Sequence, residues 1–199
     1  MFLKVSFILY SLSYTMYELC VNTDIQERLY NEIQEAKKRD PQLSFETLNK
    51  LEYMDAVICE VLRKYCPASS VNREANTDYY IPEYDLKVEK GTFISVPIFV
   101  NHNSPEYWKN PEKFDPERFM GDNREKIVPY TYVPFSCGPR LCIGMKFSLM
   151  EAKLGLAQIM DRFEIVRTSK TFDKLEILQC MFLLKTSPIF VGVKKRVGK

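Results

Sequence analysis

The chain has 199 residues, 46% of them hydrophobic and 27% charged, which fits a globular chain of one large or two small domains and excludes disorder and collagen-like repeats. Lys+Arg 28 against Asp+Glu 26 gives a formal net charge of +2, so the basic footprint of a nucleic-acid binder is missing. A single histidine, His102, excludes a His-rich zinc centre and any two-histidine mechanism, and six cysteines without a CxxC pair exclude a disulfide scaffold and thioredoxin-type motifs.

Met1 to Tyr17 reads MFLKVSFILYSLSYTMY. One lysine ahead of an apolar run resembles a weak signal peptide or a short anchor. Ser6, Ser11 and Ser13 interrupt the run, it falls short of the ~20 residues that span a bilayer, and no small-residue cleavage site follows. The favoured reading is a buried helix.

Asn22 or Thr23 is placed to cap a second helix, with Ile25, Leu29, Ile33 and Ala36 as its apolar stripe and Lys37, Lys38 and Arg39 at its end before Pro41. Ser44 opens a short helix. Leu51 to Tyr65 predicts another, with Leu51, Met54, Val57, Ile58, Val61 and Leu62 facing the core, and Pro67 beyond it. From Ser69 to Val100 the pattern changes to short β-type runs at Tyr79–Ile81, Leu86–Val88 and Phe93–Val96, punctuated by Pro82, Asp85 and Gly91. Asn101 to Pro134 is rich in Pro, Asn and aromatics, and loops of that length are usually functional. A long helix is predicted from about Ile143 to Phe163, then strands, including Phe190 to Val193. The fold class is mainly α with a small β-sheet.

Residues 135–144 read Phe135-Ser136-Cys137-Gly138-Pro139-Arg140-Leu141-Cys142-Ile143-Gly144, a glycine-containing loop running into the long helix. A helix N-terminus presents free N–H groups and partial positive charge, a setting suited to a thiolate ligand. Such a ligand pushes electron density onto a haem iron and favours O–O cleavage. Gly138 and Gly144 let backbone approach a flat cofactor, Arg140 is placed to pair with a propionate, and Phe135 to shield the sulfur.

Phe135-x-x-Gly138-x-Arg140-x-Cys142-x-Gly144 resembles the haem-binding signature of the cytochromes P450, the haem-thiolate monooxygenases, with Cys142 rather than Cys137 in the axial register. Glu60-Val61-Leu62-Arg63 is similar to the family's Glu-x-x-Arg, and Pro116-Glu117-Arg118-Phe119 to its Pro-Glu-Arg-Phe element. The resemblance implies a buried network of Glu60, Arg63 and Arg118. It also implies Arg73 as a second propionate partner, and Ala68–Asn72 and Cys180–Leu183 as substrate-facing segments. His102 and Trp108 read as structural. The stretch Arg63 to Glu74 is most similar to insect microsomal, xenobiotic-metabolising members.

The resemblance therefore implies the C-terminal part of the cytochrome P450 fold, haem b (iron protoporphyrin IX), and insertion of one oxygen atom into an apolar small molecule. It further implies an NADPH-dependent flavoprotein reductase as electron donor and an address on the cytosolic face of the endoplasmic reticulum membrane. In the family, a helix over the distal haem face carries small residues, an acid and a Thr. Alignment places Leu3, Lys4, Ser6 and Phe7 there, so no catalytic residue is identifiable. The expectation is that residues 1–11 are unrelated sequence and 12–199 the C-terminal portion of the domain. On that expectation the chain alone is a truncated product that binds haem poorly. The alternative is an inactive fragment or pseudogene product lacking the distal helix.

Overall fold

Apolar spacing decides where the helices lie and which faces they bury. The computed structural model describes the backbone of residues 2–180 and 184–196 and the side chains of residues 9–178 and 184–196. Helix α1 spans Phe2–Val21, α2 Thr23–Arg39, α3 Phe45–Asn49 and α4 Glu52–Lys64. The long C-terminal helix is Met145–Arg162, preceded by two short ones, Ile98–Asn103 (α5) and Gly121–Glu125 (α6), so it is α7. Helices α1, α2, α4 and α7 share one core, in which Leu19, Leu29, Ile33, Met54, Val57, Leu156 and Met160 are fully buried. Each such side chain contributes on the order of 1.5–3 kcal/mol.

The first segment is a buried helix, with Ser11, Tyr14, Thr15, Tyr17 and Glu18 all inside. No helix among the described residues is long and apolar enough to cross a membrane. The side chains of Leu3, Lys4, Ser6 and Phe7, which the alignment put over the distal motif, lie outside the described residues. So do Met181–Leu183 and the side chain of Cys180.

Asn22 sits at the N-cap of α2, but its side chain does not cap. Its Nδ2 donates instead to the Glu18 carbonyl and to Glu18 Oε2, both at 2.9 Å. The two helices are almost continuous, so the end of α1 needs a donor more than the start of α2 needs an acceptor. On α2, Gln26 rather than Ile25 is the fully buried residue. Its Nε2 donates to the carbonyls of Leu19 and Ile165 at 2.9 Å each, and its Oε1 accepts from Ile165 N at 2.7 Å. An amide satisfies unpaired strand backbone that an aliphatic chain could not. Between α2 and α3, the Asp40 carboxylate accepts from Ser44 N at 2.7 Å and Thr47 Oγ1 at 2.6 Å. These bonds, led by those from Ser44 and Thr47, hold it down at about 2.

Among the described residues the β-structure forms four two-stranded antiparallel ladders. Strand β1 (Val71–Glu74) pairs with β4 (Phe93–Val96), and β2 (Tyr79–Ile81) with β3 (Leu86–Val88). Strand β5 (Phe163–Val166) pairs with β8 (Gly192–Lys195), and β6 (Ile177–Cys180) with β7 (Leu184–Thr186). The strand expected from Phe190 begins at Gly192, where a Cβ would meet Thr168 Cγ2 at 3.0 Å and Val166 Cγ2 at 3.1 Å. The stretch 101–134 is largely irregular, holding a 3₁₀ turn at Pro116–Phe119 and α6.

Replacing Gln26 with Ala strands one amide and two carbonyls at the junction of α1, α2 and β5. The expected cost is about 3 kcal/mol. A urea titration checks it as a lowered midpoint at unchanged slope.

Candidate functional site

Helix α4 carries the first part of the site. Glu60 and Arg63 lie one turn apart on its inner face, both with 0% of their side chains exposed. Arg63 Nε donates to Glu60 Oε2 at 2.7 Å and Nη2 to Oε1 at 2.8 Å, a two-pronged pair. The remaining donors of Arg63 reach the carbonyls of His102 at 2.9 Å and Pro111 at 2.8 Å. Glu60 Oε1 also accepts from Asp115 N at 3.0 Å. One ion pair thus organises α5 and the irregular stretch. Burial pushes the Glu60 carboxyl upward, against the bonds and charge of Arg63.

Arg118 lies beside this pair. Its Nε lies 3.4 Å from Glu60 Oε1, within ion-pair range. That Nε has no hydrogen bond, so the contact is electrostatic and off the hydrogen-bond direction. Arg118 Nη2 donates to the Asn110 carbonyl at 2.9 Å.

His102 is structural. Its Nε2 accepts from Val133 N at 2.8 Å, which assigns the ring proton to Nδ1. Burial pushes its pKa from the ordinary 6.5 down to about 4, with Arg63's charge acting the same way and the Leu62 backbone opposing. Trp108 is buried beside it and donates from Nε1 to the Asn101 carbonyl at 3.0 Å.

The cysteine loop leads into α7. Cys142 N donates to the Phe135 carbonyl at 3.0 Å, closing the loop, and Leu141 N to the Gly138 carbonyl at 3.0 Å. Ser136 and Gly138 have φ of 65° and 67°, left-handed values that reverse the chain twice. Cys142 is exposed and lies two residues before the helical N-cap Gly144.

A cavity of about 410 Å³ opens at Cys142, walled by Ala68, Val71, Phe135 and Ile143, with Arg73 and Arg140 on its border. A neighbouring cavity of about 750 Å³ shares Arg73, Arg140 and Cys142. A larger cavity, about 810 Å³, lies between α3, α6 and α7 and has no cysteine in its lining. The donor set, not the volume, selects the smaller space. Of the six residues expected to hold the cofactor, Arg73, Phe135, Arg140, Cys142 and Gly144 border this space, whereas Gly138 does not. Arg73 is steadied by Nη2 donating to Ser136 Oγ at 3.0 Å. Phe135 is anchored in the core while facing the cavity. An exposed sulfur, an apolar wall and two guanidinium groups are the chemistry that a flat, apolar, dianionic cofactor requires.

A profile of the family described as Cytochrome P450 matches residues 9–193. The chain belongs to the cytochrome P450 family. It is 39% identical over 184 residues to cytochrome P450 9e2 of Blattella germanica, covering 91% of this chain and 34% of that one. It is 37% identical over 186 residues to cytochrome P450 3A19 of Capra hircus aegagrus, covering 94% and 84%. A probable cytochrome P450 9f2 of Drosophila melanogaster is 38% identical over 175 residues, covering 86% and 34%. The chain thus spans about a third of the length of several curated relatives it matches, in their C-terminal portion. Its relatives include insect members of this cytochrome P450 family, as the stretch from Arg63 to Glu74 suggested.

One feature escaped the sequence reading. Lys153 of α7 is buried and its Nζ lies 2.9 Å from Asp55 Oδ1 on α4, while Arg124 Nη1 lies 3.0 Å from Asp55 Oδ2. Burial raises the Asp55 carboxyl, but Lys153 and Arg124 outweigh it and hold it below the usual range. The one signal in the sequence is a lysine on the otherwise apolar face Met150–Leu156.

Arg63→Ala leaves Glu60 buried without its partner and is expected to cost about 3–5 kcal/mol. Arg63→Lys does not restore it, because one ammonium cannot span both carboxylate oxygens and two carbonyls. Denaturant unfolding decides; wild-type stability of Arg63→Ala would refute the network. A second expectation concerns pH. With a folded value of about 4 against 6.5 unfolded, His102 gives stability that is complete above 6.5 and falls as pH drops through 4. The slope approaches about 1.4 kcal/mol per pH unit within that window. His102→Gln should flatten it in thermal melts between these limits.

Proposed function

We propose that this chain forms the proximal wall of a haem-thiolate monooxygenase, with Cys142 as the axial ligand of the iron. The observation that carries the reading is the exposed Cys142 sulfur at the mouth of an apolar cavity bordered by Arg73 and Arg140. Haem b, when bound, supplies the iron at which one atom of molecular oxygen is inserted into an apolar small molecule.

The chain's own residues bind and orient. Arg73 and Arg140 offer charged forks for two propionates. Phe135, Ala68, Val71 and Ile143 present an apolar surface to the porphyrin and keep water from the sulfur. The Cys142 N–H bond to Phe135 holds the sulfur's backbone in place. Cys137 sits at the N-cap position of the 3₁₀ turn Gly138–Arg140, makes no capping hydrogen bond, and does not border that cavity. The family relationship supports an NADPH-dependent flavoprotein reductase as electron donor. It also supports residence on the cytosolic face of the endoplasmic reticulum membrane.

With haem supplied, the ferrous carbonyl complex is expected to show the red-shifted Soret band of a thiolate ligand. Cys142→Ala should lose it and Cys137→Ala should keep it. A band that survives Cys142→Ala would overturn the assignment.

A further inference from the structure

Gly144 has φ −84° and ψ 0°, a backbone that any residue can adopt. Conformation therefore does not require a glycine here, and a Cβ would make only ordinary contacts. A Cβ built there would lie 3.8 Å from Cys142 Sγ and 3.8 Å from Ser148 Oγ. The sulfur and the hydroxyl thus border one gap that the glycine leaves open, and both face the cavity of about 410 Å³.

Ser148 lies in the first turn of α7, with its N–H bonded to the Gly144 carbonyl at 2.9 Å. Helical hydroxyls commonly return to the carbonyl four residues back. In α1, Ser13 Oγ does so at 2.7 Å to Leu9 and Thr15 Oγ1 at 2.8 Å to Ser11. Ser148 does not, and its hydroxyl has no hydrogen-bond partner among the described residues. The hydroxyl and the sulfur face one gap that no side chain of Gly144 fills, and the hydroxyl is a donor without an acceptor.

We propose that Ser148, which makes no hydrogen bond to Cys142 in this structure, turns its hydroxyl toward that sulfur once haem is bound, donates to it, and thereby sets how much electron density the sulfur gives to the iron. The inference rests on Cys142 being the axial ligand. Ser148 acts through Cys142 and touches neither substrate nor oxygen, so it is a positioning residue. A hydrogen bond to a thiolate stabilises negative charge on sulfur. Reduction of the iron by one electron adds negative charge to the iron–sulfur unit. The donor therefore favours the reduced form and raises the potential, as hydrogen bonds to metal-bound sulfur do.

The test uses the full chain with haem bound, and its readout is the ferric/ferrous potential by spectroelectrochemistry. Ser148→Ala removes the hydroxyl. Ser148→Thr keeps it, and Ser148→Val matches Thr in shape without it. In the Ala and Val variants the ratio of reduced to oxidised haem at fixed ambient potential should fall about tenfold, a drop of about 59 mV for a one-electron couple. The Thr variant should return to the wild-type value. Equal potentials for Thr and Val, with the thiolate-type carbonyl band intact in both, would overturn the role of Ser148. Should the Ala variant not fold, the Thr and Val pair still decides. The carbonyl band of the unaltered protein separately tests the ligand, and its absence would overturn Cys142 ligation and this inference together.

Discussion

A carboxylate and a guanidinium, both withdrawn from water, set the terms for the rest of this fold. Glu60 and Arg63 have no solvent to satisfy them, so every remaining donor and acceptor must find protein. A helical position, His102 of α5, and three irregular ones, Pro111, Lys113 and Asp115, meet that need. Burial works against the pair itself, as the upward push on Glu60 shows. Its net stabilisation is therefore small, but the segment 101–118 has few other reasons to take a single path. The order of an irregular segment is fixed here by the demands of a helix, not by its own propensity.

That constraint reaches the cysteine loop through short steps. His102 gives its carbonyl to Arg63 and its ring nitrogen to Val133 N. Val133 in turn accepts from Ser136 N at 3.0 Å, and Ser136 Oγ accepts from Arg73. Tyr132 donates to the Cys59 carbonyl at 3.1 Å, tying the same stretch back to α4. The approach to Cys142 is thus braced at consecutive residues from two directions. Ligand position then depends on bonds made well away from the ligand.

Much of the site was legible because its residues are close in sequence and chemically unusual. Phe135 to Gly144 is a contiguous loop, and Glu60 and Arg63 share a helical turn, so each forms a short motif that the family resemblance picks out. The helices were legible for a similar reason: Leu29, Ile33, Met54, Val57 and Leu62 repeat at the helical period and are all buried. What failed concerns groups whose partners are distant in the chain. Gln26 is buried because Ile165, 139 residues away, has unpaired backbone. Asn22 turned away from its cap because of Glu18. Cys20 and Cys59 are buried, and burial pushes the Cys20 thiol up and the Cys59 thiol to about 11. The division of the β-structure into four ladders was not legible, because short runs state their strand character but not their partners.

The Asp55–Lys153 bridge has a mechanical consequence. Helix α7 can turn about its own axis without breaking a single internal hydrogen bond, and apolar contacts alone resist such a roll softly. A directional charge contact between α7 and α4 resists it firmly. Lys153 stands eight residues beyond the first residue of α7, about 12 Å along the axis. An atom about 5 Å from that axis travels about 2 Å when the helix rolls by about 20°. Misplacement of about 1 Å already matters to a reacting centre. Asp55 therefore works as a torsional stop: it fixes the angle at which the helix delivers its first turn, and with it the bearing of the sulfur that precedes it.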